Sequence, residues 1–140
     1  MNLRILHPRD WPRPRGYANG VSARGRQIYV AGQIGWNERG DLVGTDLVSQ
    51  ARQALRNIVA ILAEDGARPE HLVRLTWFVV DRQAYIDQSK PLGEAYREVI
   101  GTHYPAMSAL VVTALMEPGA LVEIEATAVV PDSAESPQNA

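Results

Sequence analysis

Glu123 and Glu125 alternate with Val122, Ile124 and Ala126 near the end of the chain. A carboxylate can orient a water molecule and accept its proton. The alternation puts both glutamates on one face of a strand, so spacing alone does not choose between them. An ordinary solvent-facing role suits either. Tyr17 can donate a hydrogen bond in a cleft, or pack at an interface with its hydroxyl satisfied. Lys90 is the only lysine in the chain and, with Arg15, a possible contact for an anion. A surface position beside a helix start is the plainer reading of Lys90. Met107 offers an adaptable apolar wall. Trp36 follows Gly32-Gln33-Ile34-Gly35 and its ring can overhang a cleft, whereas Trp77 reads as core or interface.

Other chemistries lack their residues. His7, His71 and His103 are scattered and show no metal-ligand spacing. No Ser/His/Asp grouping is readable. Gly32, Gly35, Gly40 and Gly44 have the wrong spacing and the wrong following residues for a phosphate loop. Cysteine is absent, which excludes disulfides and thiolate chemistry. The net charge of −2 gives no broad basic field for a phosphate backbone, which weighs against nucleic acid as a partner. No apolar run approaches a membrane span, and the N-terminus lacks the apolar core of a signal peptide. A cytoplasmic protein is the expectation.

The elements that must position these residues are readable from periodicity. Residues 8–16 carry Pro8, Pro12 and Pro14 and read as irregular and extended. Gln27 to Ala31 reads as a buried strand ending at Gly32, and Asn37 to Gly44 as a hairpin or loop. From Thr45 or Asp46 as cap, a helix carries Leu47, Ala51, Ala54, Leu55, Ile58, Ile61 and Leu62 on one stripe and ends at Gly66. Val73 to Val80 reads as a near-continuous strand covered on both sides. A second helix follows Pro91, with Leu92, Ala95, Tyr96, Val99 and Ile100 on one face. Ala106 to Ala114 and Val122 to Val130 are further strands, with a turn at Pro118-Gly119.

With 140 residues and 46% hydrophobic content, the chain suits one domain with one core, residues 1–131. The polar end, residues 132–140, reads as a disordered tail. The pattern predicts an α+β fold: a two-layer sandwich with two helices on one face of a sheet. The other sheet face needs cover, so a homo-oligomer is expected.

Several ordered segments resemble the RidA/YjgF family, also known as endoribonuclease L-PSP-like. They are Gly16-Tyr17, the run from Gly25 to Gly32-Gln33-Ile34, and the helix Gln50-Ala51-Arg52-Gln53-Ala54-Leu55-Arg56-Asn57-Ile58. They continue with Val73-Arg74-Leu75-Thr76 to Phe78-Val79-Val80-Asp81, Tyr104-Pro105-Ala106, and Val122-Glu123-Ile124-Glu125-Ala126. The likeness spans roughly residues 15–130. It implies a chorismate-mutase-like fold, a homotrimer, and ligand clefts at the subunit interfaces.

The resemblance also implies roles. Tyr17 would line the cleft, Glu123 would orient the attacking water, and a backbone N–H near Gly32 would bind the ligand, with Ala31 where a Ser is common. Met107 falls where the family has the Arg that grips the carboxylate of a 2-imino acid. A guanidinium is a planar, charged fork, and a thioether offers none of this. A cleft-side Asn falls near Lys90. The implied activity is imine or enamine hydrolysis with an altered substrate range and no cofactor. The alternative is a non-catalytic binder of a small, partly apolar metabolite. Endoribonuclease activity fits the charge balance least.

Overall fold

The structure is a computed structural model that describes residues 3–132. The expected tail at 132–140 lies, apart from Asp132, outside the described residues. Nine elements carry the fold in chain order: β1 (Arg4–Leu6), β2 (Gly20–Ser22), β3 (Arg26–Gln33), α1 (Leu47–Ala63), β4 (Leu72–Val79), α2 (Arg82–Asp87), α3 (Ser89–Val99), β5 (Ala106–Val111) and β6 (Val122–Val130). A single 3-10 turn, Pro69–His71, leads into β4.

The first long helix begins and ends where its sequence says. The Asp46 carboxylate accepts the Ser49 N–H at 2.9 Å, capping α1. At the other end Gly66 takes φ +71°, Ala67 N–H returns to the Leu62 carbonyl, and Gly66 N–H to that of Ala63. A Cβ is disfavoured at that φ, so glycine closes the helix cheaply. Leu47, Ala51, Ala54, Leu55, Ile58 and Leu62 are buried on the face turned to the sheet, whereas Ile61, expected on the same stripe, is exposed at its edge. Arg52 and Arg56 meet Glu98 at 3.3 and 2.8 Å and link α1 to α3. Being half-exposed, these pairs add little stability.

The main sheet runs β3-β6-β4-β5, with β4 and β5 parallel and the other neighbours antiparallel. Register fixes which side chains share a face. Leu75 pairs with Ala126, Trp77 with Ile124 and Val79 with Val122, and all six are buried under the helices. The opposite face carries Tyr29 against Thr127, Thr76 against Glu125, and Phe78 between Glu123 and Leu110. Tyr29 is 71% exposed and Leu110 46% exposed, so this face is open in the single chain.

Four features depart from the sequence reading. A third helix, α2, lies between β4 and α3. It is six residues long and buries none of them, so it leaves no apolar stripe to read. The helix expected after Pro91 starts at Ser89, with Pro91 in its first turn. A separate two-stranded sheet, β1 with β2, flanks the proline-rich segment. The strand expected over Ala106–Ala114 stops at Val111.

Candidate functional site

Met107 lies on β5 in register with Leu75 of β4, so its side chain shares the helix-side face. Trp77, two residues further along β4, shares that face and is 5% exposed. Above them, α2 brings Tyr85 edge-on to Trp77, with ring centroids 6.3 Å apart and planes at 66°. The third helix brings Tyr96, which stacks on Tyr104 at 5.2 Å and 14°. The Tyr96 hydroxyl donates to the His103 carbonyl at 2.6 Å, and the His103 imidazole contacts the Leu72 carbonyl at 2.7 Å. That contact needs the Nε2–H tautomer. Burial pushes the Tyr85 and Tyr96 phenols up from their ordinary pKa, so both stay protonated.

These rings wall a cavity of about 510 Å³ that also reaches Met107, Leu92, Gly93, Arg97 and Arg15. Ligand pockets commonly have this size and this apolar lining. A shallower recess of about 260 Å³ shares Arg15, Trp77, Tyr85 and Met107 and adds Tyr17. Tyr17 arrives there because Ala18 N–H bonds the Pro105 carbonyl at 2.9 Å and Ala18 bridges Ala106, laying this segment along the β5 edge. The Trp77 indole N–H is buried and has no acceptor among the described residues. An unmet buried donor costs about 1–3 kcal/mol.

Gly32, Trp36 and Glu123 gather elsewhere. They line a separate pocket of about 190 Å³ with Ile34, Met116 and Glu117. The β3–β6 register skips Ala31 and Gly32, a bulge that bends the strand and interrupts the ladder there. Ala31 is exposed in this bulge, and its carbonyl accepts the Gln33 side-chain amide at 3.1 Å. A Cβ on Gly32 would run into the Glu123 carboxyl group, 2.7 Å from its Cδ, so the missing side chain is what lets the carboxylate lie against β3. Glu125, one repeat along β6, is exposed and lines none of these pockets. Lys90 is exposed in the first turn of α3 and also lines none of them.

The expected site residues thus form two groups. Tyr17 and Met107 sit at the β5 edge, and Gly32, Trp36 and Glu123 beside β3 and β6. Glu123 pairs with Phe78, whereas Met107 pairs with Leu75, so the two side chains point to opposite faces of one sheet. One chain cannot present both to one small ligand. Sequence reasoning missed Tyr85, Tyr96, Tyr104 and Arg97 as wall residues. They come from α2, from adjacent positions on α3 and from the segment before β5, and no periodic signal joins them. Among the described residues no group of acidic and histidine side chains could hold a metal, and no helix is long and apolar enough to cross a membrane.

Residues 12–130 match the family model described as Endoribonuclease L-PSP. A RutC family protein of Pyrococcus abyssi is 34% identical, covering 91% of this chain and 98% of its own. The human 2-iminobutanoate/2-iminopropanoate deaminase is 34% identical over 74% of this chain and 73% of its own. The crystal structure of the Rid family protein YyfB from Yersinia pestis superposes with a TM-score of 0.83 at 35% identity, covering 93% of this chain and all of that one. With its sheet, helices and matched residues, this chain belongs to the RidA/YjgF family, the endoribonuclease L-PSP family of proteins.

Proposed function

We propose that the protein hydrolyses imines or enamines in clefts formed between copies of the chain in a homotrimer. The observation that carries this reading is the division of the site. Tyr17 and Met107 occupy one edge, Gly32 and Glu123 the opposite face, and each group is half of a cleft that a second copy completes. The exposed Tyr29 and Leu110 on the open face suit such a neighbour. The deaminase relatives make imine chemistry the natural assignment.

The step needs little machinery. An imine carbon is already electrophilic. Glu123 orients a water and takes its proton as the oxygen bonds to carbon. That proton passes to the nitrogen, the new hydroxyl then gives up its own proton to the nitrogen as the C–N bond breaks, ammonia leaves, and the carbon keeps the oxygen as a carbonyl. A backbone N–H at the Gly32 bulge and the Tyr17 hydroxyl hold the substrate. Met107 cannot grip a carboxylate, so a substrate with no other anchor in the cleft loses a charge-assisted contact. Simple aliphatic 2-imino acids are therefore poor substrates.

The test is ammonia release from a panel of imines generated in situ, with Glu123→Gln as control. Turnover that needs Glu123 and disfavours short aliphatic imines supports the proposal. No turnover of any imine overturns it and leaves a second reading, which Met107 itself favours: a cleft that binds a small, partly apolar metabolite without acting on it. Light scattering that shows a stable monomer removes the cleft from either reading.

A further inference from the structure

The cavity beneath Met107 is larger and more aromatic than a small aliphatic imine requires. Trp77, Tyr85, Tyr96 and Tyr104 give it flat apolar walls, and Met107 forms its lip on β5. Two cations stand at the same cavity, Arg15 from the segment before β2 and Arg97 from α3. Among the described residues neither makes an ion pair or a side-chain hydrogen bond. The Arg97 guanidinium lies back over Gly93, its Nη1 an ordinary 3.5 Å from where a Cβ on that residue would stand. The one unmet buried side-chain donor among the described residues, the Trp77 indole N–H, belongs to the same wall.

We infer that this cavity takes a ligand with a flat aromatic arm and a carboxylate, the arm among the tyrosines and Trp77 and the carboxylate on Arg15 and Arg97. The inference rests on the hydrolase reading for the reaction and names its substrate class: 2-imino acids, or the matching 2-keto acids, that carry an aromatic side chain. Aromatic rings attract one another edge-on or offset, which the arrangement of Trp77 and Tyr85 already shows. A guanidinium matches a carboxylate in a planar, charge-assisted pair, and two of them replace a single arginine at position 107. The size of the arm, rather than a fixed anion anchor on β5, then sets the preference.

The probes are phenylpyruvate and pyruvate, titrated calorimetrically into the full-length protein in its solution assembly. Phenylpyruvate is expected to bind at least about tenfold tighter than pyruvate, and Arg97→Gln and Arg15→Gln each to weaken it about tenfold. Arg39→Gln, at an exposed loop distant in sequence from the cavity, controls for net charge and is expected to change nothing. Unchanged melting temperature and assembly mass keep the arginine variants interpretable. Equal affinity for the two keto acids, no binding of phenylpyruvate, or binding indifferent to both cavity arginines overturns the inference. A parallel assay with imines of phenylalanine and alanine separates the two claims. Phenylpyruvate bound as described with no imine turned over removes hydrolysis and leaves the cavity. Aliphatic imines hydrolysed with phenylpyruvate unbound removes the cavity assignment and leaves hydrolysis.

Discussion

Gln50, fully buried on α1, accepts the backbone N–H of Leu121 on its side-chain oxygen at 2.8 Å, one residue before the strand that carries Glu123. The same side chain donates to the Gly44 carbonyl at 3.3 Å and the Gly119 carbonyl at 3.1 Å. One amide thus ties the loop before α1 and the loop before β6 to the helix. Gln50→Leu keeps the volume and strands those backbone groups in the interior. A loss of roughly 2–3 kcal/mol is expected, read from the urea midpoint. A loss within 0.5 kcal/mol of zero, the ordinary surface range, would show that the loops hold themselves.

Gly32→Ala tests the packing of Glu123 without touching the glutamate. The φ of Gly32 is not positive, so alanine brings no backbone strain. Its methyl would displace the Glu123 carboxyl group, the far end of a flexible side chain. Stability is expected to change by less than about 1 kcal/mol, while imine turnover falls at least about tenfold from the misplaced carboxylate. Wild-type turnover in a folded variant would remove Glu123 from the reaction.

Met107→Arg is expected to raise affinity for pyruvate or 2-ketobutyrate. A charge-assisted hydrogen bond contributes about 1.5–3 kcal/mol, enough to be seen calorimetrically. The new guanidinium arrives on the face that Arg15 and Arg97 already line, so the gain should grow in low salt, where their pull on the carboxylate is less screened. No gain with the assembly intact would mean that the wall has been rebuilt for another ligand class.

His71 gives the fold a pH dependence. Burial lowers its pKa from the ordinary 6.5; Arg68, Arg26 and His103 push the same way, and Glu70 opposes them. Its Nδ1 also accepts the Arg68 N–H at 2.9 Å, which needs the ring unprotonated there. The unfolded chain therefore takes up a proton at higher pH than the folded one. The stabilisation is complete above 6.5 and declines as pH falls below it. Urea midpoints taken between about pH 7 and pH 5 should drop less steeply in His71→Gln than in the wild type. Equal slopes would assign the decline to other groups.

Much of the scaffold was legible because it rests on local signals. The stripe of α1, its Asp46 cap and its Gly66 stop, and the alternation of β6 are written in consecutive residues. The short β1–β2 pairing and α2 were not, since neither buries a face of its own. Periodicity put Glu123 and Glu125 on one face and stopped there. What distinguishes them is a contact with Gly32, ninety-one positions from Glu123 in a strand that neighbours theirs. The aromatic cavity was illegible for the same reason: Trp77 reads as an ordinary strand residue until Tyr85, Tyr104 and Arg97 are folded over it.

The opposite facing of Glu123 and Met107 has a genetic consequence. If each cleft takes one wall from each of two chains, a lesion in either wall silences every cleft of a pure assembly. Two differently damaged chains, Glu123→Gln and Tyr17→Phe, would be inactive apart. Co-expressed, they would assemble mixed particles in which a sound wall from one meets a sound wall from the other. Activity regained on mixing two dead variants is a signature that a site enclosed within a single chain does not produce.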